Sequence, residues 1–258
     1  MNDALHAVSC TSSRACTAVG HYDTPQGREV AMVERWNGIR WRLQDLPRLA
    51  GSTPLLAVSC TTARRCMAVG YRTSRVHGTR PLVELWRGGT WHRHTVRLPA
   101  GSPGGMLTAV SCTGPNACTA TGANFGNRHP TLAERWNGVR WRIQPTPFPA
   151  DSTTSRREVE LNALSCASAR ACTATGAYAP GGHPAYFLES WRGHRWRLVP
   201  APHPPGFAAG ALNGVSCVVG RCAAVGAWSG GAVAVATLAM GEPARSALRV
   251  QDLRHRGR

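Results

Sequence analysis

The chain has 258 residues, of which 43% are hydrophobic, and this suits a globular body of one or two domains. No apolar run approaches the ~20 residues that a helix needs to span a bilayer, so a membrane-spanning helix is excluded. The formal net charge is +17, and arginine supplies it without a single lysine. This charge predicts nonspecific binding to polyanions at low salt. A selected anion-binding surface or a coding bias toward arginine would each explain the missing lysine.

One sequence motif that contains two cysteines occurs five times. It reads LHAVSC-TSSRA-CTAVG, LLAVSC-TTARR-CMAVG, LTAVSC-TGPNA-CTATG, LNALSC-ASARA-CTATG and LNGVSC-VVGR-CAAVG, and the starts lie 50, 52, 54 and 51 residues apart. A unit of ~50 residues cannot bury both of its faces alone, so the repeats predict one body. We therefore expect a single domain over residues 1–258, with a basic tail at 254–258. Its repeats lie at about 5–54, 55–106, 107–160, 161–211 and 212–253.

The first repeat predicts four short strands. Residues 5–10 and 16–20 are joined by a turn-rich stretch, and residues 30–36 and 39–43 are joined through Asn37-Gly38, a strong hairpin signal. Four antiparallel strands in ~50 residues are typical of one β-propeller blade. The chain is therefore predicted to be an all-β, five-bladed β-propeller. The fifth repeat lacks the tryptophan pair of the others, and its last strands are predicted at 232–240 and 247–253.

All ten cysteines fall in these repeats, two in each. An even count at repeated spacing is typical of a disulfide framework, whereas zinc would need further ligands and the histidines keep no common register. We predict one hairpin disulfide per blade, no metal and no cofactor. The pairs are Cys10–Cys16, Cys60–Cys66, Cys112–Cys118, Cys166–Cys172 and Cys217–Cys222.

The predicted disulfides favour a secreted or extracytoplasmic location. The opening MNDALHAVSC shows no signal peptide before the first repeat. A cytoplasmic protein with reduced thiols is the alternative.

The pattern L-x-x-V-x-x…A-V-G followed by W-N-G-x-x-W resembles the BNR-type repeats of the sialidase superfamily, which include photosystem-assembly-factor-like propellers. The resemblance covers the first hairpin of all five repeats and the second half of four. The aspartate of the family's Asp box is replaced by tryptophan, so the box is degenerate. The replacing residues are Trp36, Trp86, Trp136 and Trp191. The resemblance implies the propeller fold and carries no catalytic residue to this chain.

Each of the first four repeats has a tryptophan pair with a glutamate two residues before it. The pairs could form a sugar-stacking surface, but their place on the third and fourth strands favours packing. A propeller would hold the four glutamates too far apart to share a metal, so pairing with an adjacent arginine is predicted. These glutamates are Glu34, Glu84, Glu134 and Glu189.

The two ends of the predicted propeller differ. The second-to-third loops and the inter-blade connections vary, and their end is called the loop face. The short first-hairpin and third-to-fourth turns form the turn face. Variable loops on a rigid scaffold usually hold binding residues, and an aromatic near a histidine in each blade would suit a sugar. The same aromatic could instead cap its blade against the neighbour. The candidates are Tyr22, Tyr71, Phe125, Tyr178, Trp228, His77, His129 and His183.

The sequence carries no catalytic signature. It lacks the GxSxG, P-loop, HExxH and dinucleotide motifs, and it offers 13 acidic residues for the carboxylate pair that a glycosidase needs. We expect a non-enzymatic, monomeric binding or scaffold module whose ligand is a glycan or a protein. The alternative is a glycan-acting hydrolase, which the superfamily resemblance implies.

Overall fold

The computed structural model consists of five four-stranded antiparallel sheets that follow one another along the chain. It describes residues 3–126, 130–149, 159–201, 203, 207–229, 234–241 and 249–252, the last two ranges by their backbone alone. The predicted basic tail at 254–258 lies outside the described residues.

The strands are numbered in chain order, four to a sheet. The first sheet contains β1 (Ala4–Ser12), β2 (Ala15–Asp23), β3 (Glu29–Trp36) and β4 (Trp41–Leu43). The second contains β5 (Leu55–Thr62), β6 (Arg65–Ser74), β7 (Gly78–Arg87) and β8 (Thr90–His94). The third contains β9 (Gly105–Gly114), β10 (Ala117–Asn124), β11 (Thr131–Trp136) and β12 (Trp141–Gln144). The fourth contains β13 (Glu160–Ser168), β14 (Ala171–Tyr178), β15 (Ala185–Trp191) and β16 (Trp196–Val199). The fifth contains β17 (Ala209–Val218), β18 (Arg221–Ser229), β19 (Ala234–Gly241) and β20 (Arg249–Asp252).

Each sheet is a meander in which consecutive strands pair, and the sheets stack in chain order. The first strands β1, β5, β9, β13 and β17 each contact the next one in that series. Four apolar clusters fill the spaces between consecutive sheets, so the core is divided among the sheet boundaries. This arrangement confirms the predicted all-β architecture with one four-stranded sheet per repeat.

The observed strands differ from the predicted ones at their ends. The first hairpin was expected to have a five-residue connection, but β1 and β2 continue past the cysteines and leave a turn at residues 13–14. The fourth strand begins at Trp41 instead of residue 39. There the side-chain oxygen of Asn37 accepts bonds from the backbone N–H groups of Ile39 and Arg40 at 3.0 Å, which holds residues 37–40 as a loop.

A glycine near the end of each second strand permits a close approach between strands. A Cβ atom at Gly20 would overlap the carbonyl oxygen of Ala4, and one at Gly122 would overlap that of Met106. The first sheet has a register shift between Leu5 and Ala7 at this point. The glycine of the A-V-G and A-T-G motifs is therefore required by the backbone of the neighbouring strand.

The five predicted disulfides are present, each between directly opposed residues of the first hairpin. Their Cα atoms lie 3.9 to 4.1 Å apart, and none of the ten cysteines is free. A bridge of this kind closes a short loop, for which restriction of the unfolded chain contributes roughly 2 kcal/mol. Five disulfides are typical of proteins from an oxidising, extracellular environment.

The same hydrogen bond joins every pair of consecutive sheets. The backbone N–H of the first cysteine in one sheet donates to the serine Oγ of the preceding V-S-C or L-S-C motif at 2.9 to 3.0 Å. The pairs are Cys60 with Ser9, Cys112 with Ser59, Cys166 with Ser111 and Cys217 with Ser165. All extensive strand contacts join sheets that are neighbours in the chain. The described residues form a series of sheets stacked in chain order, and they do not show the closed ring of the predicted five-bladed propeller.

The tryptophan pairs pack side by side, as predicted. Their ring centroids lie 5.6 to 5.9 Å apart, and both rings are buried in the second, third and fourth sheets. The guanidinium of Arg35 also lies 4.2 Å from the ring centroid of Trp86 in the next sheet. The pairs therefore stabilise both their own sheet and a boundary between sheets.

The repeated glutamates correct the prediction that each pairs with an adjacent arginine. Glu84 does pair with an arginine, since Arg93 Nη2 lies 2.9 Å from its Oε1. Both carboxylate oxygens of Glu134 and of Glu189 are buried without a hydrogen-bond partner, so pairing with arginine is wrong for these two. Arg93 is replaced in the same cross-strand position by Ile143 in the third sheet.

Candidate functional site

The most polar part of the described loop face lies between the first and second sheets. β2 ends there at Asp23 and β3 begins there at Glu29, which pairs with Asp23 across the sheet. Residues at alternate positions of a strand share a face, so His21 and Asp23 lie on one side of β2. Val19, on that same side, belongs to the apolar cluster between the first and second sheets. The fold thus brings an imidazole and two carboxylates to the boundary between the first two sheets.

Five side chains contact one another at this boundary. His6 Nε2 lies 3.0 Å from His21 Nδ1, and His21 Nε2 lies 4.0 Å from both Asp23 Oδ1 and Glu29 Oε1. The hydroxyl of Tyr71, from the second sheet, donates to Glu29 Oε2 at 3.3 Å. We call His6, His21, Asp23, Glu29 and Tyr71 the loop-face cluster.

Two hydrogen bonds hold the backbone at the two acidic residues of the cluster. The backbone N–H of Asp23 donates to Asp3 Oδ1, and that of Glu29 donates to Ser52 Oγ, each at 3.3 Å. The side chains of Asp23 and Glu29 remain 29% and 38% exposed. The main chain that carries both carboxylates is therefore anchored, and both side chains are still open to a ligand.

Burial and charge perturb two members of the cluster. Burial lowers the pKa of His6, and the neighbouring His21 lowers it further. Burial raises the pKa of Tyr71, and the carboxylate of Glu29 that accepts its hydrogen bond raises it further. The cluster accordingly favours a neutral His6 and a phenol that keeps its proton.

The five predicted aromatics occupy different environments. Tyr22 is exposed and Trp228 is buried. Tyr71 and Tyr178 are half-buried, and Tyr178 contacts the ring of Phe187 edge-on at 5.9 Å. They also differ in register, because Tyr71 follows its strand-two glycine by one residue whereas Tyr22, Tyr178 and Trp228 follow theirs by two.

The fifth aromatic, Phe125, lies beside Gly104 in the preceding connection and donates its backbone N–H to that carbonyl at 2.9 Å. Trp228 lies against Phe207, also in a connection, with 6.4 Å between ring centroids. Contacts of this kind are what a cap between a blade and its neighbour would make. The described part of the loop face does not bring the five aromatics together.

The predicted histidines give no common site. His77 and His183 are exposed on separate sheets, and His129 lies outside the described residues. The histidine with two neighbouring carboxylates is instead His21, which also contacts His6. His6, Asp23 and Glu29 were not predicted as ligand residues, because they have no counterpart in the other repeats. The sequence His-Tyr-Asp at the end of β2, opposite Glu29, could have indicated this polar cluster.

The described residues show neither a metal-ligand group nor a membrane-spanning helix. Among the described residues, no group of three or more His, Cys, Asp or Glu side chains is arranged to hold a metal ion. No helix in the described ranges has the length and apolar character needed to cross a bilayer.

Comparison with known proteins finds similarity in structure only. No family model matches the chain, and neither does any curated protein sequence. A GH74 xyloglucanase from Xanthomonas campestris matches with a TM-score of 0.57 at 13% identity, over 95% of this chain and 38% of that one. YCF48 bound to a D1 peptide matches with a TM-score of 0.50 at 11% identity, over 91% of this chain and 65% of that one. The chain therefore spans less than two thirds of either protein.

A lectin from the fungus Aleuria aurantia, described as a six-bladed β-propeller with a novel fucose recognition mode, is also similar. Its TM-score is 0.59 at 11% identity, over 96% of this chain and 77% of the lectin. Identities this low show the fold alone. Together with the five sheets, these similarities show that the chain has a β-propeller fold.

Proposed function

We propose that this chain is a non-enzymatic module that binds a glycan at the loop-face cluster. The observation that carries the proposal is the set of two partly exposed carboxylates, two imidazoles and a phenol that meet where the first two sheets adjoin. Small numbers of well-placed polar groups are what fix the orientation of a small ligand.

The chemistry of the cluster suits sugar hydroxyls. Ionised Asp23 and Glu29 accept hydrogen bonds and cannot donate them, so a hydroxyl that lies between them must donate. The imidazole of His21 can donate or accept according to its tautomer. The lectin similarity supports this reading, because that protein is described as recognising fucose.

A protein is the alternative ligand for the same face of the module. The similarity to YCF48 bound to a D1 peptide supports this alternative. The five disulfides support a secreted or extracytoplasmic location for either form of binding. We favour the glycan, because the loop-face cluster is small and polar, whereas protein interfaces have an apolar core.

Hydrolysis of a glycan is the second candidate function. Asp23 and Glu29 both lie 4.0 Å from the same nitrogen of His21, so the two carboxyl groups are neighbours. Glycosidases use two carboxylates separated by roughly 5 to 9.5 Å. If the chain is a hydrolase, both carboxylates are essential for turnover. A binding module has no turnover and does not need both.

The first prediction tests binding and turnover together. The protein is applied to an array of neutral glycans at high salt and is assayed on chromogenic glycosides. We expect binding without turnover. Glu29→Gln should weaken binding about tenfold or more, because it removes a charged acceptor. The matched control Asp45→Asn removes an exposed carboxylate outside the cluster and should bind as the wild type does.

Three outcomes would contradict the proposal. Turnover that is abolished by both Asp23→Asn and Glu29→Gln would establish the hydrolase instead. A folded, disulfide-bonded protein that binds no glycan would exclude glycan binding. Binding that survives Glu29→Gln would place the site away from the loop-face cluster.

A further inference from the structure

Every internal sheet boundary joins two faces of different composition. The forward face of a sheet carries the serine that accepts the repeated bond, and it packs on the next sheet. The backward face carries the leucine and valine of the L-x-x-V motif and the first cysteine, whose N–H donates that bond. Because the faces differ, each boundary is head to tail, and the structure contains four copies of it.

The first sheet presents a backward face whose large apolar side chains are exposed. Leu5 is 51% exposed, whereas its equivalent in each other sheet is fully buried. Val8 is 61% exposed and Trp41 is 42% exposed, whereas the equivalents Val58 and Trp91 are 8% and 4% exposed. Exposed Tyr22 lies on this same side of β2, which alternates with the side of His21. The patch is thus large, apolar and aromatic.

The fifth sheet presents a forward face that is exposed at two described positions of its first hairpin. Val225 is 46% exposed, whereas its equivalents in the other four sheets are completely buried. Those equivalents are Val19, Val69, Thr121 and Thr175. Ser216 is the counterpart of the accepting serines and is exposed. The exposed faces of the first and fifth sheets are therefore the two halves of the boundary that the chain forms four times internally.

We propose that these two faces bind each other between molecules. The forward face of the fifth sheet in one copy packs on the backward face of the first sheet in a second copy. Ser216 Oγ would accept the backbone N–H of Cys10, as Ser9 accepts that of Cys60. Val225 would cover Leu5 and Val8. This replaces the monomer expected from the sequence.

The geometry of the contact decides the kind of assembly. A head-to-tail contact leaves one free face at each end of a pair, so association continues as the concentration rises. Large exposed apolar patches of this kind mark interaction sites in soluble proteins. The occupant is another copy of this chain, because the complementary face is present on the chain itself.

The second prediction uses two complementary variants and light scattering coupled to size-exclusion chromatography. The wild type should increase in mass with concentration. Val8→Asp blocks only the backward face and Val225→Asp blocks only the forward face, so each variant alone should be monomeric. Mixed together, they should form a pair of twice the monomer mass and no larger species. Ile39→Asp, at an exposed turn of the first sheet, is the control and should associate like the wild type.

The mixing experiment separates the alternatives. A wild type that stays monomeric at all concentrations overturns the proposal, whether the ends close on each other within one chain or remain free. Association that persists in both single variants also overturns it, because another surface would then be responsible. Circular dichroism and the absence of free thiols establish that the variants fold. If Val8→Asp does not fold, Leu5→Arg blocks the same face.

Discussion

Glu134 and Glu84 occupy the same place on their sheets and differ in one cross-strand neighbour. Glu84 faces Arg93, whereas Glu134 faces Ile143 on one side and Ala120 on the other. Burial among apolar neighbours raises the pKa of Glu134 to about 8. Burial also raises the pKa of Glu84, but the charge and hydrogen bond of Arg93 oppose that shift. One residue on the fourth strand thus distinguishes a buried carboxyl group with a charged partner from one without.

The third prediction follows from this difference. The folded pKa of Glu134 lies above its ordinary value of 4.5. The stability that the protonated group contributes is therefore fully present below about pH 4.5 and is lost as the pH rises toward 8. The free energy of unfolding, measured with denaturant, should decline by about 1 kcal/mol per pH unit over part of that range. Glu134→Gln should reduce the decline and stabilise the protein most at high pH.

The control for that experiment is Glu84→Gln. It leaves Arg93 without its ion-pair partner, so it should destabilise the protein at high pH, where Glu84 is ionised, and have little effect at low pH. A decline that is unchanged by Glu134→Gln would show that the carboxyl of Glu134 is ionised in the folded protein.

At the scale of single elements, the glycine near the end of the second strand is more restrictive than the glycine at the end of the first. A side chain at Gly122 would meet the backbone of Met106, whereas Gly114, the last residue of β9, has open space around its Cβ position. Backbone cannot move aside as the tip of a side chain can. The two positions therefore differ in their tolerance of alanine although both are glycine in the sequence.

The fourth prediction compares these two glycines. Gly122→Ala should lower the free energy of unfolding by several kcal/mol, on the order of 3, because strands β9 and β10 must separate to make room. Gly114→Ala should change it by less than about 1 kcal/mol. Chemical denaturation of the oxidised proteins measures both. Equal effects of the two substitutions would contradict the close approach described for Gly122.

The elements that the sequence predicted best are those with a repeated, local signal. The disulfide pairs and the four strands per repeat follow from spacing and alternation within about 50 residues. The lack of an arginine partner for Glu134 was missed because it depends on which residue lies opposite on β12. Repeats with Arg93, Ile143 or Leu198 at that position have the same overall sequence pattern. The loop-face cluster was missed because it combines residues from two sheets without a repeat.

At the scale of the whole molecule, charge is distributed unevenly between the two ends. Ten arginines lie in or beside the turns of the turn face. They are Arg14, Arg40, Arg64, Arg65, Arg87, Arg140, Arg170, Arg192, Arg195 and Arg221. No aspartate or glutamate occurs in these turns in the part of the chain that the structure describes. The loop face, in contrast, holds Asp3, Asp23, Glu29 and Asp45. Polyanions are therefore expected to adhere to the turn face and a glycan to bind at the opposite end.

The separation of these two activities is the most direct test of the account, and it forms the fifth prediction. Binding of heparin and of the neutral glycan selected on the array is measured by titration at rising salt. The proteins are the wild type and two variants with equal loss of charge. One carries Arg14→Gln, Arg64→Gln and Arg170→Gln on the turn face, and the other carries Arg28→Gln, Arg48→Gln and Arg75→Gln on the loop face. All six arginines are exposed.

We expect heparin binding to fall steeply with salt and to be weaker in the turn-face variant than in the loop-face variant. Neutral-glycan binding should persist at high salt, remain unchanged in the turn-face variant and be weakened about tenfold or more in Glu29→Gln. Neutral-glycan binding that disappears with salt, or with the turn-face arginines, would contradict recognition at the loop-face cluster.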